Sequence, residues 1–259
     1  MSIPDRFHRY WIEVDLIQAD VRPTPWGAVV TRPSAPDVWD VNYARIDRDD
    51  HVALEDVEDA LVPALRDAGV VIEHVVSFHP RAHVDLFERT TARGHSVGWD
   101  AVMAREGRPA PPADPEVEEL VDPDELPTVV TAILREGFAV QPDEAIEQFV
   151  RLDGEALRPA GKRWFGIRDA GDRVVSAGTL LVVDGLGYVD DVATLPHARG
   201  RGHASSVVTR IVAEAGLAGA DVVTLLADPA APRVIAMYER LGFRETGRIV
   251  SSRGPVPAA

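Results

Sequence analysis

The segment from residue 195 to residue 204 constrains the fold of this chain more than any other feature. A β-prone run over residues 188–195 stops at Pro196, and helical spacing of apolar residues predicts a helix over residues 205–215. The loop between them holds two Gly and two Arg. No Asp or Glu occurs over residues 192–213, although the net charge of the chain is −15. Backbone N–H groups at a helix N-terminus, flanked by Arg, predict a phosphate or pyrophosphate site.

Composition limits the class of protein. The 259 residues suffice for one large domain or two ordinary ones, and a hydrophobic share of 46% is typical of a globular protein. The lack of Cys excludes disulfides, thiolate catalysis and Cys-based metal sites. We expect a cytoplasmic protein with no signal peptide, no membrane partner and, given its acidity, no nucleic-acid partner. The only Lys, Lys162, is interpreted as a consequence of a composition biased toward Arg.

Local patterns predict a mixed α/β fold in both halves. In the first half they predict strands at residues 10–16, 26–31, 70–78 and 96–103, with helices at 54–65 and 82–92. In the second half they predict strands at 117–121, 164–167, 174–183, 188–195, 221–227 and 243–250. Further helices are predicted before Gly137, from about Pro142 and from about Pro232.

Four Pro over residues 107–115 predict an extended spacer and hence a domain boundary. We therefore predict a first domain at residues 1–106, a linker at 107–116, a second domain at 117–250 and a disordered tail at 251–259. A degenerate repeat relates the halves, since residues 86–89 (LFER) and 237–240 (MYER) each precede a Gly and a strand. The first copy has RDDH at residues 48–51 in place of the phosphate loop, and its carboxylates would repel a phosphate.

Two motifs in the second half resemble those of the GNAT superfamily of acyl-CoA-dependent N-acyltransferases. Residues 199–204 (RGRGHA) fit the pattern Arg/Gln-x-x-Gly-x-Gly/Ala, and residues 237–243 (MYERLGF) follow at the expected distance. A dinucleotide fingerprint does not fit because Ser205 replaces its third Gly, and the Gly-Lys-Ser/Thr of a Walker loop is missing. The resemblance covers about residues 117–250. It implies the GNAT fold, an α/β (α+β) fold with a mixed, mostly antiparallel central sheet flanked by helices, here in two tandem copies of which the first is degenerate.

The resemblance implies acetyl-CoA as co-substrate. It assigns cofactor binding to Val192, Ala193, Thr194, Arg199, Gly200, Arg201, Gly202, His203 and Ala204. The first three would pair with the pantetheine arm like an added strand, beside a splayed opening toward the next strand. The other six would hold the pyrophosphate through backbone N–H groups, with charge-assisted bonds from the Arg side chains. An Asn that is frequent near the start of the following helix in this family is missing, and Asp228 and Ala231 occupy that region.

Three residues are candidates for catalysis. Tyr238 matches the Tyr that often protonates the departing CoA thiolate in this family, although a core role would explain it as well. Asp190 and Asp191 resemble the Glu-Asp pair of some sugar-phosphate acetyltransferases and are candidate bases for the amine. Binding of a cationic substrate, or a solvated strand end, are the alternatives. Strand alternation predicts that Asp190 shares one face with Tyr188, Val192 and Thr194.

No metal site is predicted. His197 and His203 are interpreted as loop residues near the phosphate, because no carboxylate or third His lies at ligand spacing. The alternative is a metal bound by the His cluster of the first half, which comprises His74, His79 and His83.

We therefore predict an acetyl-CoA-dependent N-acetyltransferase that moves an acetyl group directly to a primary amine of a small molecule. The alternatives are a non-catalytic acyl-CoA-binding or regulatory module and a protein or peptide N-acetyltransferase. The sequence leaves the acceptor open, and it leaves monomer and homodimer both open.

Overall fold

The computed structural model describes residues 1–107 and 116–257. Most of the predicted linker, residues 108–115, lies outside them. The described helices are α1 Ile3–Gln18, α2 Leu54–Asp67, α3 Val84–Ala92, α4 Leu126–Ala132, α5 Asp143–Leu152, α6 His203–Leu217 and α7 Pro232–Arg240. The described strands are β1 Asp20–Thr24, β2 Gly27–Thr31, β3 Tyr43–Ile46, β4 Ile72–Ser77, β5 Ser96–Glu106, β6 Glu118–Leu120, β7 Arg163–Arg168, β8 Val174–Val183, β9 Leu186–Thr194, β10 Val222–Ala227 and β11 Arg244–Pro255.

The chain divides into two compact units. The first consists of Met1–Val102 together with Thr246–Ala259, and the second of Met103–Glu245. The end of the chain is in the first unit because β11 pairs antiparallel with β4, from Val250 opposite Ser77 to Pro255 opposite Ile72. The expected disordered tail is therefore wrong for residues 251–255, which are hydrogen-bonded strand. The predicted bounds of the two functional domains stay a prediction.

In the first unit, β1, β2 and β3 form an antiparallel meander, and β3 then pairs in parallel with β4. Helix α2 connects β3 to β4. Its predicted apolar face is confirmed, since Leu54, Val57, Leu61 and Leu65 are all buried in the core of this unit.

The strand predicted at residues 10–16 is wrong, because these residues belong to helix α1. The N-terminus of this helix has a capping box, in which the Asp5 N–H donates to Ser2 Oγ (3.3 Å) and the Ser2 N–H donates to Asp5 Oδ2 (3.0 Å). Phe7, Tyr10 and Val14 follow at helical spacing and are buried. The local signals for a helix were thus present. The capping box and Phe7 lie upstream of the stretch whose alternation suggested a strand, and Tyr10 and Val14 lie within it.

In the second unit, β6, β7, β8 and β9 are antiparallel neighbours, and β9 pairs in parallel with β10. Helix α6 connects β9 to β10 and packs against β8 and β9. Helices α4 and α5 each continue into a π-helical turn, at Ile133–Gly137 and Asp153–Leu157.

The predicted fold class of mixed, mostly antiparallel sheets with helices is confirmed. Both units show three antiparallel strands followed by a helix and a parallel strand. The interpretation of the first unit as a degenerate copy of the second stays a prediction. None of the described helices has the length and apolar character needed to cross a membrane.

Candidate active site

A β-bulge in β9 determines where the two candidate carboxylates point. Opposite β8, Ala193 pairs with Ala177 and Asp190 pairs with Thr179, so β9 has one residue more than β8 over this span. Asp191 takes up the extra length in a left-handed conformation, with φ of 52°.

The bulge reverses the alternation of side chains along β9. Directly paired residues share a face, so Asp190 lies on the face of Ala193 and not on that of Thr194, which pairs with Ser176. A Cβ built on Gly178, opposite the bulge, would lie 3.1 Å from both Val192 and Ile211 of α6. The expectation that Asp190 shares a face with Val192 and Thr194 is therefore wrong, because it assumed an unbroken strand.

β9 and β10 separate along their length. They pair in parallel at three positions only, which are Val222–Leu186, Val223–Gly187 and Thr224–Tyr188. Within the described residues, no strand pairs with the β10-facing edge of residues 189–194. The second unit thus has the opening that the resemblance implies, and Val192, Ala193 and Thr194 lie beside it, where a ligand can bind as an added strand. The carbonyls of Ala193 and Thr194 already accept hydrogen bonds, from Ser176 Oγ (3.1 Å) and from Arg199 Nε (2.9 Å).

The loop after β9 leads into an uncapped helix N-terminus. Gly200 and Gly202 both have left-handed backbones, with φ of 79° and 88°, and a Cβ built on either would meet no atom within 4 Å. Gly202 is the N-cap of α6, and no side chain caps this end. The first N–H groups of α6, at His203, Ala204 and Ser205, have no acceptor within the helix. Free donors, open space and the positive end of the helix dipole fit an anionic group here.

The two Arg of this loop differ in what they contact. Arg199 donates from Nε to the carbonyl of Thr194 (2.9 Å) and from Nη2 to the carbonyl of Gly137 (3.1 Å). It thereby ties the loop to the end of β9 and to the π-helical turn after α4. Arg201 is exposed, and its side chain makes no contact of this kind with the residues that the structure describes. Arg201 is therefore the side chain free to meet a phosphate.

The Asp190 carboxyl is open to solvent at the splayed part of β9. The protein packed around it nevertheless removes enough water to raise its pKa, and the neighbouring charge of Asp191 raises it further, to about 7, against the opposing charge of Lys162. A carboxylate with a pKa near the working pH suits a general base.

Tyr238 lies on α7 with only 6% of its surface exposed. Its ring packs edge-on against Phe243, with 5.9 Å between the ring centroids, and its hydroxyl makes no hydrogen bond with any described residue. Burial, followed by the charge of Asp190, raises the pKa of Tyr238 to about 12. The phenol therefore keeps its proton at neutral pH, and the two predicted catalytic groups Asp190 and Tyr238 lie within electrostatic range of each other.

Asp191 is directed away from solvent into a polar cluster that sequence reasoning missed. Its Oδ2 accepts from Thr179 Oγ1 (3.2 Å) and lies 2.8 Å from Nζ of Lys162. The lone Lys of the chain is thus an ion-pair partner of a candidate site residue. The interpretation of the excess of Arg over Lys as a bias of composition is not tested by this contact. That Lys162 is the only Lys among many Arg was the one sequence signal that could have drawn attention to it.

No group of three or more His, Asp or Glu that could hold a metal ion occurs in residues 1–107 and 116–257. In the His cluster of the first unit, His83 lies between Ser77 Oγ (2.7 Å) and the carbonyl of Asp50 (2.9 Å). His74 contacts the carbonyl of Trp39 through Nδ1 (3.1 Å). Ordinary hydrogen bonds thus account for both rings.

Comparison with known proteins adds to this geometry. Residues 126–243, a little under half of the chain, match the model of the acetyltransferase (GNAT) family. Both motif segments and the candidate catalytic residues lie within this range. No curated protein matches the sequence.

Solved structures show the same fold. A GCN5-related N-acetyltransferase from Kribbella flavida is 18% identical and aligns over 100% of this chain and 97% of its own length, with a TM-score of 0.68. A tandem GNAT protein from the clavulanic acid biosynthesis pathway is 13% identical over 77% of this chain and 68% of its own, with a TM-score of 0.51.

A protein of the GNAT family from Novosphingobium aromaticivorans is 23% identical over 61% of this chain, with a TM-score of 0.49, and this chain spans 64% of its length. The family match, together with the bulged and splayed strand and the Gly-rich loop, identifies residues 126–243 as a GNAT acetyltransferase domain.

Proposed function

We propose that this protein is an acetyl-CoA-dependent N-acetyltransferase that transfers an acetyl group directly to a primary amine of a small molecule. One observation carries the proposal: a carboxylate with a raised pKa, Asp190, and a protonated buried phenol, Tyr238, act on each other at the open part of β9. The open strand edge and the uncapped N-terminus of α6 follow Asp190 closely along the chain.

The residues present fit acetyl-CoA as co-substrate, which would supply the acetyl thioester. The N–H groups at the start of α6 and the Arg201 guanidinium would bind its pyrophosphate, and the edge of residues 192–194 would pair with its pantetheine arm. The Arg199 side chain is engaged with Thr194 and Gly137, so its part is to hold the loop in place.

Two proton movements follow from the chain's own groups. Asp190 accepts a proton from the acceptor's ammonium group, because an amine attacks only in its neutral form. The new C–N bond then replaces the C–S bond, and Tyr238 donates its proton to the departing sulfur. The nitrogen loses its second proton to water as the amide forms, and the tyrosinate regains a proton from water. Asp190 becomes neutral when it takes the proton. Its negative charge then no longer raises the pKa of Tyr238, so the phenol becomes a better acid at the moment it has to donate.

The test is the release of CoA thiol from acetyl-CoA in the presence of a panel of small primary amines and of peptides with a free N-terminus or Lys. We expect release that depends on a small amine and rises with pH as Asp190 loses its proton. Tyr238→Phe should lower kcat by about 100-fold while leaving the Kd for acetyl-CoA unchanged. Tyr10→Phe removes a hydroxyl from another buried Tyr, in the first unit, and serves as the matched control.

Each contrary outcome has a defined meaning. If acetyl-CoA binds but no amine or peptide releases thiol, the chain is a regulatory acyl-CoA-binding module. If only peptides release thiol, the acceptor is a protein. If Tyr238→Phe retains full turnover, Tyr238 has no part in the mechanism.

A further inference from the structure

Lys162 lies immediately before β7 and is buried, with its side chain 10% exposed. Its Nζ is 2.8 Å from Asp191 Oδ2 and 3.2 Å from Asp153 Oδ1, and it lies 5.3 Å from the centroid of the Trp164 ring. Burial lowers the pKa of Lys162, but the charges of Asp191, Asp153 and Asp190 outweigh burial and leave the pKa raised. The Lys is therefore a fixed positive charge at neutral pH.

Asp153, one of the two carboxylates that contact Lys162, is itself held by further contacts. Asp153 begins the π-helical turn after α5 and accepts from Nε1 of Trp164 at 3.2 Å through both carboxylate oxygens. Arg158 Nε lies 3.1 Å from the same carboxylate. A buried ammonium held between two carboxylates is costly to desolvate, and it is stable only because both partners are in place.

The other carboxylate that contacts Lys162 belongs to Asp191, at the bulge of β9. Asp191 is a left-handed residue without the freedom of Gly, a strained conformation that persists where its surroundings hold it. Two contacts hold its side chain here, the ion pair with Lys162 and the hydrogen bond from Thr179. The bulge places the Asp190 side chain on one face of β9 and that of Val192 on the other face.

We propose that the buried Lys162–Asp191 ion pair locks the β9 bulge and thereby positions Asp190 for proton transfer, which makes Lys162 and Asp191 positioning residues. The inference rests on the proposed function and assigns Asp191 a role different from that of Asp190. Asp191 already has a cation as partner, so it is not the base.

The ion pair also adjusts the acidity of Asp190, and its two members act in opposite directions. The largest cause of the raised pKa of Asp190 is desolvation by the surrounding protein, which is separate from the charges of the ion pair. The charge of Asp191 raises the pKa of Asp190 further, and the charge of Lys162 lowers it. The other groups facing this cluster are Asp153 and Arg158 beyond Lys162, and Tyr238 on α7. Removing the anion or the cation separately should therefore move the Asp190 titration in opposite directions.

The experiment follows the 13C carboxyl signal of Asp190 against pH in the full chain without acetyl-CoA or amine, with Asp190→Asn to assign it. In Asp191→Asn the midpoint should fall by about one pH unit, and in Lys162→Met it should rise by about as much. Asn keeps the shape of Asp and tolerates the left-handed backbone, so Asp191→Asn tests the proposal even if Lys162→Met fails to fold. Arg163→Met, which removes the neighbouring cation paired with Glu119 and Glu214, is the matched control and should leave the midpoint in place.

Kinetics then test positioning. In Asp191→Asn, kcat should fall at least 10-fold, the acidic limb of the kcat/KM profile should move with the Asp190 midpoint, and the Kd for acetyl-CoA should stay unchanged. Midpoints that remain within about 0.3 pH units of wild type in both variants would overturn the proposal. If the midpoints move as expected but no amine releases thiol from acetyl-CoA, the ion pair stands and the proposed function falls. If thiol is released and the midpoints do not move, the function stands and the role of the ion pair falls.

Discussion

Glu73 should make this protein lose stability as the pH rises from about 4.5 to about 7. Glu73 lies on β4 opposite Gly254 of β11, with 0% of its surface exposed. Neither of its carboxylate oxygens has a hydrogen-bond partner among the described residues. Burial alone raises its pKa from 4.5 to about 7.

The size and sign of the effect follow from linkage. Below pH 4.5 the carboxyl is protonated in both the folded and the unfolded chain, so it contributes no difference. Between pH 4.5 and about 7 the unfolded chain releases the proton while the folded chain keeps it, so the free energy of unfolding falls as the pH rises. Each pKa unit is worth about 1.4 kcal/mol, so the loss reaches about 3 kcal/mol above pH 7.

The perturbation is Glu73→Gln, which keeps the shape of the side chain and removes its ionisation. We expect the free energy of unfolding of the variant to exceed that of wild type by an amount that grows by about 3 kcal/mol from pH 4 to pH 8. Urea unfolding of the full chain at several pH values measures this difference, and 13C titration of the Glu73 carboxyl measures the pKa directly. Glu88→Gln, at an exposed position on α3 with no ion pair to the described residues, should show no such growth.

A difference between Glu73→Gln and wild type that stays constant from pH 4 to pH 8 would refute the reasoning. It would mean that the Glu73 carboxylate is as well solvated in the folded chain as in the unfolded one. A constant offset of either sign would not matter, because a buried amide carries its own pH-independent cost.

Three other predictions concern particular contacts. In Gly254→Ala the added Cβ would overlap the buried His95 ring, so the variant should lose about 1–3 kcal/mol of unfolding free energy in urea titrations. In the control Gly98→Ala the added Cβ would meet nothing closer than Ser251 Oγ at 3.9 Å, so this variant should keep its stability. Equal stability of the two variants would contradict this prediction. Arg45→Met would leave the fully buried Asp15 without its cation and should cost about 3–5 kcal/mol of unfolding free energy. Arg48→Met breaks the exposed pair with Asp50 and should barely move the unfolding midpoint. A loss in Arg45→Met as small as that in Arg48→Met would show that the buried network is not important for stability. Arg201→Gln should weaken the affinity for CoA about fivefold, as measured by calorimetry. The affinity for a CoA fragment that lacks the pyrophosphate should change less. Equal effects on both ligands would mean that Arg201 does not contact the phosphate.

The candidate phosphate loop could be predicted from the sequence because its signals are local. Pro196 ends the strand, Gly200 and Gly202 permit the left-handed turns that the structure shows, and the absence of carboxylates over residues 192–213 leaves the helix N-terminus attractive to an anion. Most helices and strands were predicted for the same reason, since 3.6-residue and two-residue periods are properties of the chain itself.

The arrangement of the candidate catalytic residues was decided only by the tertiary structure. Alternation along β9 assumes a regular strand, and one extra residue opposite Thr179 and Ala177 reverses the faces without any mark in the local pattern. The different roles of Asp190 and Asp191 depend on Lys162, which is 29 positions away in sequence from Asp191 and close only in the fold. The pairing of β11 with β4 is likewise a contact between segments that are far apart in sequence. The sequence alone therefore determined which groups can bind a phosphate, because backbone conformation and helix ends are local. Which carboxylate is free to take a proton depends on burial and on the nearest opposite charge, and both arise only when distant segments pack together.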